Sequence, residues 1–165
     1  MEKDKDIKRQ AFTFSGDWFM LPETEKKTKW RYAHEVASAD LFTALYRFME
    51  AWSFEPYLGN KRADRGMKFN GKTIYFEVDL CTESIRILEE KIDNYLQHQG
   101  KFNVIFSFLG ESKEVTRRGN LLLPYLQKIR HGNQFVIANH TQLLTQPLGQ
   151  ILYSPKDELL SLKML

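Results

Sequence analysis

Only one cysteine, Cys81, occurs among the 165 residues, so no internal disulfide and no cysteine-based zinc site can form. A reducing, cytoplasmic setting is the expectation that follows. No apolar run comes near the roughly 20 residues that a membrane helix needs. The opening MEKDKDIKRQ has no apolar stretch behind its charges, so neither a secretion signal nor a membrane association is expected. Glycine-rich phosphate loops and dinucleotide fingerprints are missing too, which leaves a nucleotide-dependent small-molecule enzyme with little support. Neither sign of charge dominates: 24 basic against 21 acidic residues give a formal charge of +3. That balance permits a nucleic-acid partner without requiring one, because a basic footprint depends on clustering rather than on the total.

What is present is ordinary globular material. A hydrophobic fraction of 42% and an aromatic fraction of 13% suit one domain with a real core. Residues 1–30 read as an N-terminal extension, with a loose strand or hairpin among the aromatics of 11–32, and residues 31–165 as the domain. From His34, which with Glu35 opens it, a helix is expected through Ala37, Leu41, Ala44, Leu45, Phe48 and Trp52, spaced three and four apart. A strand follows at 53–58. Met67 to Leu80 reads as two strands joined at Asn70-Gly71, a dipeptide that tolerates positive φ at both positions. In the second strand Ile74, Phe76, Val78 and Leu80 point one way and Tyr75, Glu77 and Asp79 the other.

A second helix is predicted from about Thr82, its N-cap, to Gln99, with the stripe Ile85, Leu88, Ile92 and Tyr95. Phe102 to Leu109 is a near-continuous apolar run, expected of a strand buried on both faces. Residues 112–131 read as two helical pieces broken by Gly119 and Pro124, followed by a strand at 134–139. The order αβββαβαβ implies an α/β domain with a mixed central sheet flanked by helices.

The chemistry centres on Glu77 and Asp79. Two apart on one strand, they leave the same face and repel each other unless something offsets the repulsion. Mg²⁺, or Mn²⁺ in its place, is the obvious candidate, since Mg²⁺ takes one or two carboxylates and keeps several waters. Asp64 lies thirteen residues before Glu77, and the turn at Asn70-Gly71 folds it back near the level of the pair. Asp64, Glu77 and Asp79 could then hold one metal and activate water for attack on a phosphodiester. The plain alternative is that the two acids line the solvated face of an amphipathic strand, with Asp64 paired to Arg62 or Arg65.

The other candidates carry similar pairs of readings. Glu35 could reach the acids or merely cap its helix. Lys91, off the apolar stripe, could swing toward Glu77 as a phosphate or water ligand or remain a surface lysine. Cys81 reads as a small buried filler, and His131 and His140 have no partners at metal-ligand spacing. Tyr75 and Tyr95 lack the histidine-rich surroundings of a nicking tyrosine. Basic residues gather at Lys61, Arg62, Arg65 and Lys68, and again at Lys113, Arg117, Arg118, Lys128 and Arg130. Such clusters would attract a phosphate backbone, or else form two ordinary solvated faces.

Two stretches resemble the plasmid replication-relaxation family. RYAHEVASADLFTALYRFMEAW, residues 31–52, is similar to the family's segment in which a His opens a helix. YFEVDLCTESIRILEEKIDNYL, residues 75–96, resembles its E-[VI]-D-x-x-T-[ED] strand and turn followed by a K-[IL]-x-x-Y helix, and QPLGQILYSP resembles its ending. The resemblance implies a restriction-endonuclease-like core of the PD-(D/E)xK superfamily, with Asp64 the first acid, Glu77 the second and Glu35 an auxiliary acid. The proline usual before the first acid is Ala63 here, and Asp79 stands where the catalytic lysine is usual. Some nucleases of this fold place that lysine on the following helix, which is where Lys91 falls. The family also carries an N-terminal winged helix, for which residues 1–30 are expected to be too few.

Two readings follow. The first is a DNA-binding protein of a plasmid or mobile element with a Mg²⁺-dependent nuclease-like site: Asp64, Glu77 and Asp79 hold the metal, Lys91 steadies the phosphate or water, and the basic clusters hold DNA. A homodimer, using the aromatics of 12–32, would suit cleavage of both strands. The second is a catalytically inactive accessory protein that binds DNA or a replication or transfer partner. Asp79 discriminates between them, because an inactive site should carry that acid only where an arginine or other cation offsets it.

Overall fold

The computed structural model describes residues 23–58, 61–156 and 158–165. Helix α1 (Glu23–Leu45) leads into β1 (Ala51–Phe54), the small hairpin of β2 (Tyr57–Leu58) and β3 (Lys61–Arg62), then β4 (Arg65–Phe69) and β5 (Lys72–Asp79). Helix α2 (Ile85–Leu96), β6 (Phe102–Phe108), α3 (Ser112–Lys128), a 3₁₀ turn (Gly132–Gln134) and β7 (Phe135–Asn139) follow. The chain closes with α4 (His140–Thr145), β8 (Leu152–Tyr153) and β9 (Leu159–Leu160). The main sheet has seven strands in the order β1-β4-β5-β6-β7-β8-β9. Its parallel pairs are β5–β6 and β6–β7, where α2 and α3 supply the crossovers that parallel strands require. The remaining pairs are antiparallel.

Asn70 and Gly71 close the β4–β5 turn with φ of 50° and 72°, and Phe69 pairs with Lys72 across it. Two positive-φ residues are what a type I′ hairpin demands. That turn fixes the register, and the alternation of β5 then sorts its side chains between two cores. Ile74, Phe76 and Val78 pack with Ala37, Leu41 and Leu45 of α1 and Leu143 of α4. On the opposite face Tyr75 packs against a cluster containing Leu88, Ile92 and Tyr95 of α2 and Val115, Leu122 and Leu126 of α3. Both faces are covered, as the apolar run of β6 predicts.

Several boundaries differ from the sequence reading. Residues 23–32 are helical, not a strand or hairpin, so the expected division at residue 31 falls inside α1. Glu and Lys in ETEKKTKW are good helix formers, but such a polar turn carries no apolar stripe to reveal it. His34 and Glu35 consequently sit mid-helix, and Trp52 belongs to β1. Residues 11–22, with their aromatics, lie outside the described residues. Helix α3 runs unbroken through Gly119 and Pro124. Pro124 and Asn120 are both exposed, so the carbonyl that Pro124 leaves without a donor meets water. Helix α2 starts behind Ser84, whose hydroxyl accepts from the Ile87 N–H, rather than at Thr82. The hairpin β2–β3, α4, β8 and β9 are additions to the expected order.

The connection from β1 to β4 positions the site. Phe54 pairs with Arg65, and residues 55–64 leave the sheet between them. The base of this excursion is pinned by Glu55 N–H to the Asp64 carbonyl and Ala63 N–H to the Pro56 carbonyl, both at 3.1 Å. Leu58 and Ala63 bury themselves in the α2–α3 cluster. The excursion therefore folds over the face toward which Glu77 points, and its last residue is Asp64. Among the described residues no helix is long and apolar enough to cross a membrane.

Candidate functional site

Because Arg65 pairs with Phe76, Asp64 arrives at the level of Glu77, as the turn register led us to expect. Asp64 Oδ2 accepts the Val78 N–H at 2.7 Å and lies 3.1 Å from His34 Nε2 of α1. Glu77 and Asp79 leave the same face of β5, and each is only 3% exposed. That face is not solvated, which removes the plain alternative for the pair. The reason is topological: α2 and α3 pack over it, a covering that period-2 alternation on one strand cannot reveal.

Glu77 is held from α2. Lys91 Nζ lies 2.9 Å from Glu77 Oε2, and the Tyr95 hydroxyl donates to Oε1 at 2.6 Å. Residues four apart on a helix share a face, so Lys91 and Tyr95 reach the same carboxylate. Lys91 also pairs with Glu83 at 3.0 Å. Burial pushes the Glu77 carboxyl up to about 7, opposed by the Lys91 charge and reinforced by that of Asp64. Burial acts upward on Asp64 too, but the His34 hydrogen bond, the His34 and Lys91 charges and the Val78 N–H together hold it below the usual carboxylate value. His34 is raised by its hydrogen bond to Asp64 against the opposing effect of burial. For Lys91, burial pulls down, but the charges of Glu77 and Glu83 outweigh it and the amine stays above its ordinary value. Burial and the Glu77 charge raise the Tyr95 phenol, so it serves as a donor.

Asp79 is engaged elsewhere. Its Oδ2 accepts from Arg118 Nη1 at 2.8 Å, and its Oδ1 accepts the Thr82 and Glu83 N–H groups at 3.0 and 3.3 Å. Arg118 also donates to the Glu83 carbonyl at 2.6 Å and the Cys81 carbonyl at 2.5 Å. The β5–α2 loop, in which Cys81 has φ of 60°, is thus clamped from both sides. The expected three-acid metal set is therefore corrected: Asp79 does not join Asp64 and Glu77. Two residues along a strand span about 7 Å, and a nearer cation and two N–H groups already saturate Asp79. Among the described residues no group of three or more His, Cys, Asp or Glu is arranged to hold a metal ion. Asp64 and Glu77 sit at one level of adjacent strands and the charge of Asp64 acts on Glu77, which leaves these two acids for an ion such as Mg²⁺ that takes one or two carboxylates.

The remaining candidates divide. Glu35 pairs with Arg65 Nη2 at 2.8 Å and not with the acid cluster, so the auxiliary role has no geometric support. Arg65 is buried, donates to the Asp64 carbonyl and lies over Phe54. Arg65 and Arg118 are therefore internal cations, not a DNA-facing surface. Arg117 is exposed but forked onto Glu114. Lys61, Arg62 and Lys68 are exposed, and Arg62 bonds Glu55 and Tyr57. Lys61 and Arg62 line a cavity of about 240 Å³ together with Glu77, Lys91, Tyr95 and Asn94. Cys81 is half-buried rather than buried, and burial lifts its thiol to about 11.

Sequence reasoning gave Arg118 only a DNA-facing role, set Tyr95 aside as a nicking tyrosine and gave His34 no site role. Signals for two of them existed. Arg118 falls on the apolar stripe of α3 between Val115 and Leu122, where a cation needs a buried counter-charge. Tyr95 ends the Lys91-x-x-x-Tyr95 spacing on α2. His34 depends on α1 crossing the sheet near Asp64, which no local pattern carries. No family model, curated protein or solved structure matches the chain.

Proposed function

We propose that the chain is a DNA-acting protein with a restriction-endonuclease-like core, and that Asp64, Glu77 and Lys91 form its phosphodiester-directed centre. The observation that carries this reading is their juxtaposition. The register brings the acid at the foot of β4 to the level of a buried acid on β5, and a lysine from the next helix is bonded to that second acid. Asp64 and Glu77 would hold Mg²⁺ or Mn²⁺, which when bound polarises a phosphoryl oxygen and lowers the pKa of a water. The chain's own groups do the rest. His34 fixes the orientation of Asp64, Tyr95 and Lys91 fix that of Glu77, and the Lys91 ammonium is the charge available to a phosphate oxygen. Lys61 and Arg62 at the cavity supply backbone attraction, which salt should weaken. A role in replication or relaxation of a plasmid or mobile element accords with the sequence resemblance.

The test is calorimetric titration with Mg²⁺ and Mn²⁺, paired with nicking of supercoiled plasmid, on wild type and Glu77→Ala. Metal binding and nicking that both vanish in the variant support the reading; a wild type that does neither overturns it. A second reading has its own observation: every carboxylate of the cluster is already offset by a protein group, Asp79 by Arg118 in particular. A non-catalytic accessory protein that binds DNA or a replication or transfer partner would look the same. Wild type that binds DNA but neither metal nor nicks would select it.

A further inference from the structure

Strand β1 ends the seven-stranded sheet, and among the described residues no strand pairs with its outer edge. The two-residue turn makes Phe69 and Lys72 a hydrogen-bonded pair. Bonding alternates along a strand, so Gly66 and Lys68 turn their backbone groups toward Ser53 and Ala51 of β1. The N–H and C=O groups of Trp52 and Phe54 are left on the open side. Sheet edges are commonly blunted by lysine, proline, charge or brevity. The opposite edge, β9, is two residues long, whereas β1 runs for four, AWSF, with no charge and no proline.

The same edge is aromatic. Trp52 and Phe54 alternate with Ser53 and share the α1 face, where Met67, the partner of Trp52, is also buried. Phe42 of α1 meets Trp52 at 5.6 Å between ring centres, and Trp52 meets Phe54 at 6.3 Å. Tyr46 extends the row at 6.4 Å from Phe42. Phe42, Tyr46 and Phe54 remain 38%, 48% and 67% exposed, although Arg65 lies over the Phe54 ring. At about 200 Å² for each aromatic side chain, they leave on the order of 300 Å² open. That is more than a third of the roughly 800 Å² per partner in a stable interface, before the strand edge is counted.

We propose that β1 is the seam of a homodimer, in which a two-fold axis between Ser53 and its copy joins two sheets into one. The two β1 strands run antiparallel, with Trp52 of each copy opposite Phe54 of the other. A second copy fits this edge because the pattern around Ser53 is its own complement. The register closes the open N–H and C=O groups of both residues and sets two aromatic cross-strand pairs on the α1 face. The strand carries no charge for the symmetry to oppose to itself, and an isologous contact stops at two copies. The axis is perpendicular to the sheet, so the Glu77 faces of both copies look the same way. The proposal is independent of what that face binds.

Sedimentation velocity of the full chain over a concentration series, on wild type and Phe54→Lys, tests this. Wild type should reach twice the monomer mass, and Phe54→Lys should raise the dissociation constant at least about tenfold, because a lysine on the edge opposes pairing. Circular dichroism melting checks the fold, and Phe54→Ser replaces the lysine variant if that variant unfolds. Ser53→Cys reads the register: the axis sets residue 53 beside its own copy with Cα atoms about 4.5 Å apart, within reach of a disulfide. Mild oxidation should cross-link that variant into a dimer, while wild type, with Cys81 alone, should stay uncross-linked. A monomeric wild type, whether solvent or another segment of the chain covers the edge, overturns the proposal. So does a dimer that Phe54→Lys leaves intact, an assembly larger than two, or a Ser53→Cys dimer that does not cross-link.

Discussion

Glu77 and Asp79 are two residues apart on one strand, leave the same face and are equally buried, yet their surroundings differ in kind. Asp79 is closed in by one arginine and two backbone N–H groups, and the same arginine ties down the carbonyls of the following loop. Glu77 meets the end of a flexible lysine, a phenol and the wall of a cavity. Asp79 is thus a fixed charge that shapes the β5–α2 loop, whereas Glu77 borders the cavity and one of its partners, Lys91, is partly exposed. Equal burial therefore does not mean equal surroundings: one carboxylate is locked into a loop and the other borders a cavity.

The comparison is most exposed to failure at Arg118. Arg118→Ala leaves Asp79 buried without a counter-charge and strands two carbonyls, so unfolding in urea should show a loss of about 3–5 kcal/mol. Adding Asp79→Ala should recover part of it, as expected for groups in direct contact. A loss below about 1 kcal/mol would mean that Asp79 is no more fixed than Glu77.

A third buried group, His140 on the other side of the sheet, has no counter-charge among the described residues. Its Nδ1 lies 2.8 Å from Ser107 Oγ, and burial holds the imidazole down to about 4. The folded state then binds fewer protons than the unfolded state below the ordinary value near 6.5. Its contribution is present above that value and is lost as pH falls toward 4, on the order of 3 kcal/mol in all. Urea titrations across this window should show the decline, and His140→Asn should flatten it. A wild type with level stability there would be the contrary result.

Lys91→Met should cost less than Arg118→Ala, about 1 kcal/mol at neutral pH, because Lys91 is partly exposed and Glu77 can take up a proton instead. Glu77 is raised to about 7 from the ordinary value, so its favourable contribution is present at low pH and fades as pH rises through 7. Without Lys91 that fading should steepen, which denaturation at successive pH values would reveal. Gly71→Ala should have the smallest effect, up to about 1 kcal/mol. A Cβ there meets nothing within 4 Å, so the positive φ alone resists it. A larger drop in melting temperature would tie both carboxylates to the turn more strongly than the register implies.

Local patterns carried much of this. Asn70-Gly71 and the alternation of β5 located the hairpin, set Asp64 opposite Glu77 and placed Glu77 and Asp79 on one face. The stripe Leu88, Ile92 and Tyr95 oriented α2, which put Lys91 within reach of Glu77. The reading failed where the deciding neighbour is distant in the chain. Arg118 is 39 residues from Asp79, Glu35 is 30 from Arg65, and an exposed surface for the basic residues was assumed where two of them turn inward.

The sequence by itself determined the hairpin register, the two-faced strand and the helix that brings Lys91 alongside, because turn chemistry and side-chain periodicity are properties of neighbouring residues. Only the tertiary structure decided that the acidic face is covered, that Asp79 belongs to Arg118 and Glu77 to Lys91 and Tyr95, and that Asp64 is steadied by His34. Those choices are electrostatic. Charges buried beneath packed helices must find counter-charges wherever the fold brings them, at separations that no local pattern encodes.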